Sequence, residues 1–335
     1  MKKLLKSNNA GMFVLLILVV LVFGSMNPAF LRLSNLVQYI NNGVVLAFLT
    51  FGLSATVITG NFDYSVGSMT GFGTVILALL LRNGMPIALA LPLGFLTLVA
   101  FGAFNGLVVG YLHVPGMLAT LGTSSLIYGI ALVLTQGQAI GANSEVYKIF
   151  GKSDIGTLPF GIVLLAVVFA LSAVLFGRAR LGRNWYLIGT SAVVARFTGI
   201  DPRRDVLLAH IYSSVMCFFG ALILGSRMAS GRADIADGYV LQAVTAAVFG
   251  GVSIKGGSGS IGGALFGVMI FTLLTSGFTM IDLSQYYKQV STGVLLIAVL
   301  IFRNFTAIFP SFATLFLKRK RAGETALLKK GTKTL

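Results

Sequence analysis

The sequence predicts an all-α, polytopic membrane protein with about ten transmembrane helices and both termini in the cytoplasm. Three observations carry this. Of the residues, 56% are hydrophobic and only 10% charged, whereas soluble domains carry about 25% charged residues; the mean hydropathy is +0.92. The apolar residues form continuous runs rather than alternating, which favours helices over a barrel. The 25 Lys and Arg outnumber the 9 Asp and Glu and gather in short gaps between runs, the pattern of a topology signal rather than of a nucleic-acid-binding face.

A helix needs about 20 apolar residues to cross a bilayer. The first span is placed at 11–30, ending near Asn27-Pro28. It follows the basic start Met1-Lys2-Lys3-Leu4-Leu5-Lys6, which resembles a signal peptide but lacks a small-x-small cleavage site, so an uncleaved first helix is expected. Further spans are placed at 42–60, 65–81, 86–112 (rich in small residues), 117–136 and 158–176. A polar loop with Glu145, Lys148, Lys152 and Asp154 separates the last two. The loop 177–205 carries Arg178, Arg180, Arg183, Arg196, Arg203 and Arg204. Spans follow at 206–228, 240–252, 260–281 and 290–302, the first two separated by Arg232, Asp234 and Asp237.

With the N-terminus inside and ten spans, the loop 177–205 and the basic tail both fall inside, as the positive-inside rule requires. The chain thus divides into a cytoplasmic N-terminus (1–10), a transmembrane domain (11–305) containing the cytoplasmic loop 177–205, and a basic cytoplasmic tail (306–335).

Several chemistries are excluded. A single cysteine, Cys217, supports neither a disulfide framework nor a cysteine metal site and reads as a small core residue. His113 and His210 lack partners at ligand spacing and read as interfacial or helix-end residues. Gly151-Lys152-Ser153 lacks the preceding glycine of a phosphate-cradling loop, since position 146 is Val. No segment is long enough for a folded ATPase. No catalytic residue, metal site or cofactor is expected in this chain.

Three polar or glycine-rich stretches stand out. The first, Gly60-Asn61-Phe62-Asp63-Tyr64-Ser65-Val66-Gly67-Ser68, divides one long apolar run into two. Asp63 and Ser65 fit a helix N-cap; they also fit a helix break facing a hydrated path. Such a path would be lined by Asp63, Ser65, Ser68, Asn105, Thr120, Thr123 and Ser124, for which ordinary helix–helix hydrogen bonding is the alternative.

The second stretch runs from Arg183 through Gly189, Ala192, Ala195, Arg196 and Gly199 to Ile200. Ser191 fits as the cap of a short helix and Gly199 as its stop, with Val194 and Phe197 on one face. It suits a helix lying on anionic lipid or one docking a cytoplasmic partner.

The third holds Gly250, Gly251, Gly256, Gly257, Gly259, Gly262, Gly263 and Gly267, eight glycines in eighteen residues against a background of about 7%. Helix packing through Gly263 and Gly267 and a sharp turn is the first reading; phosphate binding by Gly256–Gly259 with Lys255 is the second.

At these three places the chain resembles the permease subunits of bacterial ABC importers for ribose, xylose, arabinose, galactose and related solutes, including autoinducer-2. Gly60, Asp63, Ser65, Val66, Gly67 and Ser68 match the family's Gly-Gly-Ile-Asp-Leu-Ser-Val-Gly-Ser, with departures at Asn61, Phe62 and Tyr64. Gly182, Arg183, Gly189, Ala195, Gly199 and Ile200 match its Gly-Arg loop, and Gly250, Gly251, Gly256, Gly257, Gly259, Ser260 and Gly263 its glycine run. The resemblance implies a pair of permease chains, identical or paralogous, in the bacterial inner membrane. It implies cytoplasmic ATP-binding subunits that hold ATP and Mg, a periplasmic or lipid-anchored solute-binding protein, and a docking helix around 192–199. No nucleic acid partner is implied. An ion-coupled transporter would need buried ionisable residues, for which Asp63 is the one acidic candidate. An intramembrane enzyme would need a carboxylate pair, a His cluster or a metal site.

Overall fold

The computed structural model describes residues 10–142 and 144–303; the expectations for 1–9 and for the tail 306–335 lie outside the described residues. The helices are α1 Ala10–Met26, α2 Leu33–Ile58, α3 Val66–Arg82, α4 Ile87–Gly110, α5 Gly116–Thr135, α6 Glu145–Lys152, α7 Phe160–Gly177, α8 Arg180–Thr190, α9 Ala192–Phe197, α10 Pro202–Met228, α11 Tyr239–Phe249, α12 Ile261–Met280 and α13 Gln285–Arg303. Two pairs of two-residue strands join loops: β1 Ile140–Gly141 with β4 Ser230–Gly231, and β2 Asp154–Ile155 with β3 Leu158–Pro159. A first compact unit ends at Lys288, and the second, from Gln289, holds most of α13.

Each predicted span contains a helix. Among the described residues six helices, α2, α4, α5, α7, α10 and α12, are long and apolar enough to cross a membrane, and three apolar helices are shorter. The expected span at 240–252 is not met by one helix. At 1.5 Å per residue the 11 residues of α11 cover only about 17 Å of a roughly 30 Å hydrocarbon core. Irregular backbone follows it over 250–260, before α12 begins. Ala243, Ala246, Ala247 and Val248 of α11 are buried.

α10 packs on α2, α3 and α4. Small residues set the α4–α10 approach. A Cβ on Gly106 would lie 2.6 Å from the Leu207 Cα, and one on Gly110 2.6 Å from the Arg203 carbonyl oxygen. The two largest apolar clusters among the described residues gather α2, α7, α11 and α12 in one and α3, α4 and α5 in the other, with α10 contributing to both.

The helix ends sort into two groups. At one end, Arg227 donates to the Asn41 side chain at 2.6 Å, Ser226 donates to the Tyr147 carbonyl, and Ala142 N–H donates to the Ala229 carbonyl at 2.9 Å. At the other lie the break after α2, the C-terminus of α4, the helices α8 and α9 and the start of α10. Trp185 is fully buried there, its Nε1–H donating to the Asp205 carbonyl at 2.9 Å, while Asn184 donates to the Asp205 carboxylate at 2.8 Å.

Candidate functional site

The break between α2 and α3 is built by one glycine and one carboxylate. Gly60 has φ +83°, a conformation that disfavours side chains. Asp63 is 0% exposed. Its Oδ1 accepts from the Ser65 N–H at 3.0 Å and from the Ser65 hydroxyl, and its Oδ2 accepts from Ser213 Oγ of α10 at 2.7 Å. Asn105 of α4 donates to Ser65 Oγ at 2.9 Å. A buried carboxylate is tolerable only when donors surround it, and this one ties α3, α4 and α10 together. The N-cap expectation is corrected in detail. Ser65 holds the N-cap position of α3 but makes no side-chain cap bond, and Asp63 takes an N–H that lies before the helix.

The other predicted residues join partly. Thr120 Oγ1 accepts from the Tyr64 N–H at 2.8 Å and donates to the Gly116 carbonyl at 2.7 Å, and Ser68 and Ser124 share a hydroxyl pair at 2.7 Å. The first fastens α5 to the break, and the second fastens α5 to α3. Among the described residues Thr123 bonds only within α5, to the Ala119 carbonyl at 3.0 Å. Asp63, Ser65, Asn105 and Thr120 are all fully buried, so in this conformation they hold helices together rather than face a path.

Ser213 and His210 were missed by sequence reasoning. His210, read there as a helix-end residue, lies inside α10 and is fully buried. Its Nδ1 lies 3.1 Å from the Val206 carbonyl, and its Nε2 has no hydrogen-bond partner among the described residues. The available signal was the spacing 210, 213, 214, 217, one polar face on an apolar helix.

The three stretches singled out by sequence meet at one point. A Cβ on Gly189 would collide with the Ile58 carbonyl oxygen, the last residue of α2, and with the Gly257 nitrogen. A Cβ on Gly256, itself at φ +85°, would lie 2.9 Å from the Gly60 Cα and 3.0 Å from the Gly189 carbonyl. Gly257 N–H donates to the Ile58 carbonyl at 2.9 Å and Gly256 N–H to the Ser253 carbonyl at 3.0 Å. Those two N–H groups are thereby taken up within the protein. Backbone against backbone at three glycines lets α2, α8 and the loop after α11 interlock. Beyond it, Gly250 packs on Gly263, and Gly267 on Ala246, closing α11 on α12.

α9 stands out from this interlock. Ser191 Oγ accepts from the Val194 N–H at 3.3 Å. Gly199, at φ +81°, ends the helix, with Ile200 N–H returning to the Ala195 carbonyl at 3.1 Å. Ala195 is 1% exposed, while Val193 is 64% and Phe197 86% exposed. Ala192, Arg196 and Arg183 are exposed as well, Arg183 donating to the Arg178 carbonyl at 2.6 Å. The segment is an anchored base carrying an apolar tip. Among the described residues no group of His, Cys, Asp and Glu could hold a metal.

Residues 35–300 match the family described as "Branched-chain amino acid transport system / permease component". The chain belongs to this family of membrane transport permeases. The permease is 30% identical over 300 residues to the ribose import permease protein RbsC of Bacillus subtilis, covering 89% of this chain and 93% of the relative. It is 30% identical over 295 residues to the probable ABC transporter permease protein YphD of Escherichia coli, covering 88% and 89%. It is 29% identical over 299 residues to the autoinducer 2 import system permease protein LsrD of an Enterobacter strain, covering 88% and 91%. No solved structure matches the permease.

Proposed function

We propose that this chain is the transmembrane permease subunit of an ATP-binding-cassette importer in the bacterial inner membrane, moving a small polar solute, foremost a monosaccharide such as ribose. The observation that carries the reading is the convergence of Gly60, Gly189 and Gly256, which joins the exposed helix α9 to the polar break at Asp63. A push on α9 by a partner is thereby delivered to the segment that fastens α3, α4, α5 and α10. Separate cytoplasmic ATP-binding subunits, with ATP and Mg, supply that push, a second permease chain completes the path, and a periplasmic or lipid-anchored binding protein delivers the solute. The six Arg of 177–205 support a cytoplasmic placement of that loop, and ten passages with both termini inside complete the proposed topology. Ser68 and Ser124 border the path, and Asp63, Ser65, Asn105 and Thr120 hold the wall behind them.

The relatives named for autoinducer-2 favour a second reading of the cargo, a non-sugar solute of similar polarity. Uptake of labelled ribose by cells carrying the permease with its ATPase and binding protein, challenged by unlabelled ribose, other pentoses, nucleosides and autoinducer-2, decides between them. Competition by pentoses alone supports the sugar. Competition by autoinducer-2 alone, or no saturable ribose uptake, overturns it.

A further inference from the structure

Beside the glycine interlock is a cleft of about 440 Å³ whose walls come from the break after α2, the end of α4, the α8–α9 segment, the start of α10 and the loop after α11. Its size falls in the range of small-molecule sites, about 300 to 1,000 Å³. Three cationic residues line it: Arg196 of α9, Arg203 of α10 and Lys255. None of the three has an ion-pair partner among the described residues, and no Asp or Glu lines the cleft. The neighbouring Asp201 caps α10, its Oδ1 accepting from the Arg203 backbone N–H at 3.0 Å, and does not line the cleft.

Positive charge on this face follows from topology, but its convergence on a concavity does not. Arg178, Arg180, Arg183 and Arg204 occupy the same loop and do not line the cleft. Like charges around one hollow repel and focus a positive potential into it. Two guanidinium groups and an ammonium are the donors suited to phosphate oxygens. Asn61 and Thr190 add neutral polar groups, and Gly60, Gly110 and Gly189 keep the walls at backbone width.

We infer that this cleft binds a phosphate-bearing anion, either a soluble phosphorylated small molecule or an anionic lipid headgroup. The bound anion would bridge Arg196 to Arg203 and Lys255 and so pin α9 to the helix bundle. The binding is a property of this chain alone; only its consequence for coupling rests on the function proposed above.

The test uses the full chain in nanodiscs, with thermal unfolding as readout and inorganic pyrophosphate as soluble probe at constant ionic strength. The discs contain phosphatidylcholine alone or mixed with phosphatidylglycerol. The cleft variant carries Arg196→Gln, Arg203→Gln and Lys255→Gln; a control of equal charge carries Arg178→Gln, Arg180→Gln and Arg204→Gln. For a soluble ligand, pyrophosphate raises the unfolding temperature saturably in the wild type and control. The half-saturating concentration then rises at least about tenfold in the cleft variant, the loss of one charge-assisted contact or more. For a headgroup, phosphatidylglycerol stabilises the wild type and control but not the cleft variant, and weakens the pyrophosphate response.

Equal responses of cleft and control variants in both arms would overturn the inference. So would the absence of any saturable response from the folded wild type. Equal responses together with loss of ATPase co-purification in the cleft variant alone would assign the cleft to an acidic protein segment instead. Should the triple variant fail to fold, the three single substitutions carry the same comparison.

Discussion

Asp63 accepts three hydrogen bonds in a site without solvent, and its removal leaves three buried donors to find other partners. Hydrogen bonds to a charged group contribute about 1.5 to 3 kcal/mol each, and an orphaned buried donor carries its own penalty. Asp63→Ala is therefore expected to lower stability by about 3 kcal/mol or more, and Ser213→Ala, which removes one donor, by about 1 to 2 kcal/mol. Unfolding of the purified permease in detergent checks both; equal small losses would mean that the cluster holds nothing together. Two glycines of the α8–α9 segment make a paired comparison. Gly189→Ala drives a methyl into the Ile58 carbonyl, whereas Gly199→Ala meets nothing within 4 Å and bears only its φ of +81°. Gly199→Ala is expected to cost about 1 to 2 kcal/mol, and Gly189→Ala to separate α8 from α2 and lose folded protein on size exclusion. The reverse order would contradict the interlock.

At the scale of elements, α9 divides into an anchor and a tip. Val193→Asp with Phe197→Asp leaves the anchor untouched, so the permease is expected to keep its unfolding temperature and lose co-purification with its ATPase. Ala195→Asp buries a charge beside Ile188, Val206 and Ile200 and is expected to destabilise the permease itself. If the tip variant still co-purifies, α9 is not the docking helix. The sequence located this helix because Ser191 and Gly199 are local signals. It located the spans because apolar runs are local too. It started α2 late because Asn35, Gln38, Asn41 and Asn42 look like a loop, yet Asn41 sits in the helix to accept from Arg227. It missed α6, whose Ser144 cap and single buried Tyr147 are faint against a polar loop.

Across the whole molecule, what the sequence concealed is long-range. Ser213 reaches Asp63 from 150 positions away, and His210 beside it looks like a lone helix-end residue until α10 is placed. The convergence of three glycine marks was equally hidden, since each explains itself locally as a turn, a loop or a packing face. The arrangement of ends predicts labelling. With the buried Cys217 replaced by Ala, a cysteine at Lys255 or Arg204 is expected to react with a membrane-impermeant maleimide only from the cytoplasmic side. One at Asp234 is expected to react only from outside, and reaction of both from one side would refute the ten-passage topology. The central claim, a permease driven by a separate ATPase, is tested most directly by solute uptake into proteoliposomes. These hold the permease with or without its ATPase, with binding protein and solute outside and ATP within reach of the ATPase. The account predicts uptake only with the ATPase and hydrolysable ATP, unaffected by collapsing ion gradients. Uptake by the permease alone, driven by a proton or sodium gradient, would contradict it.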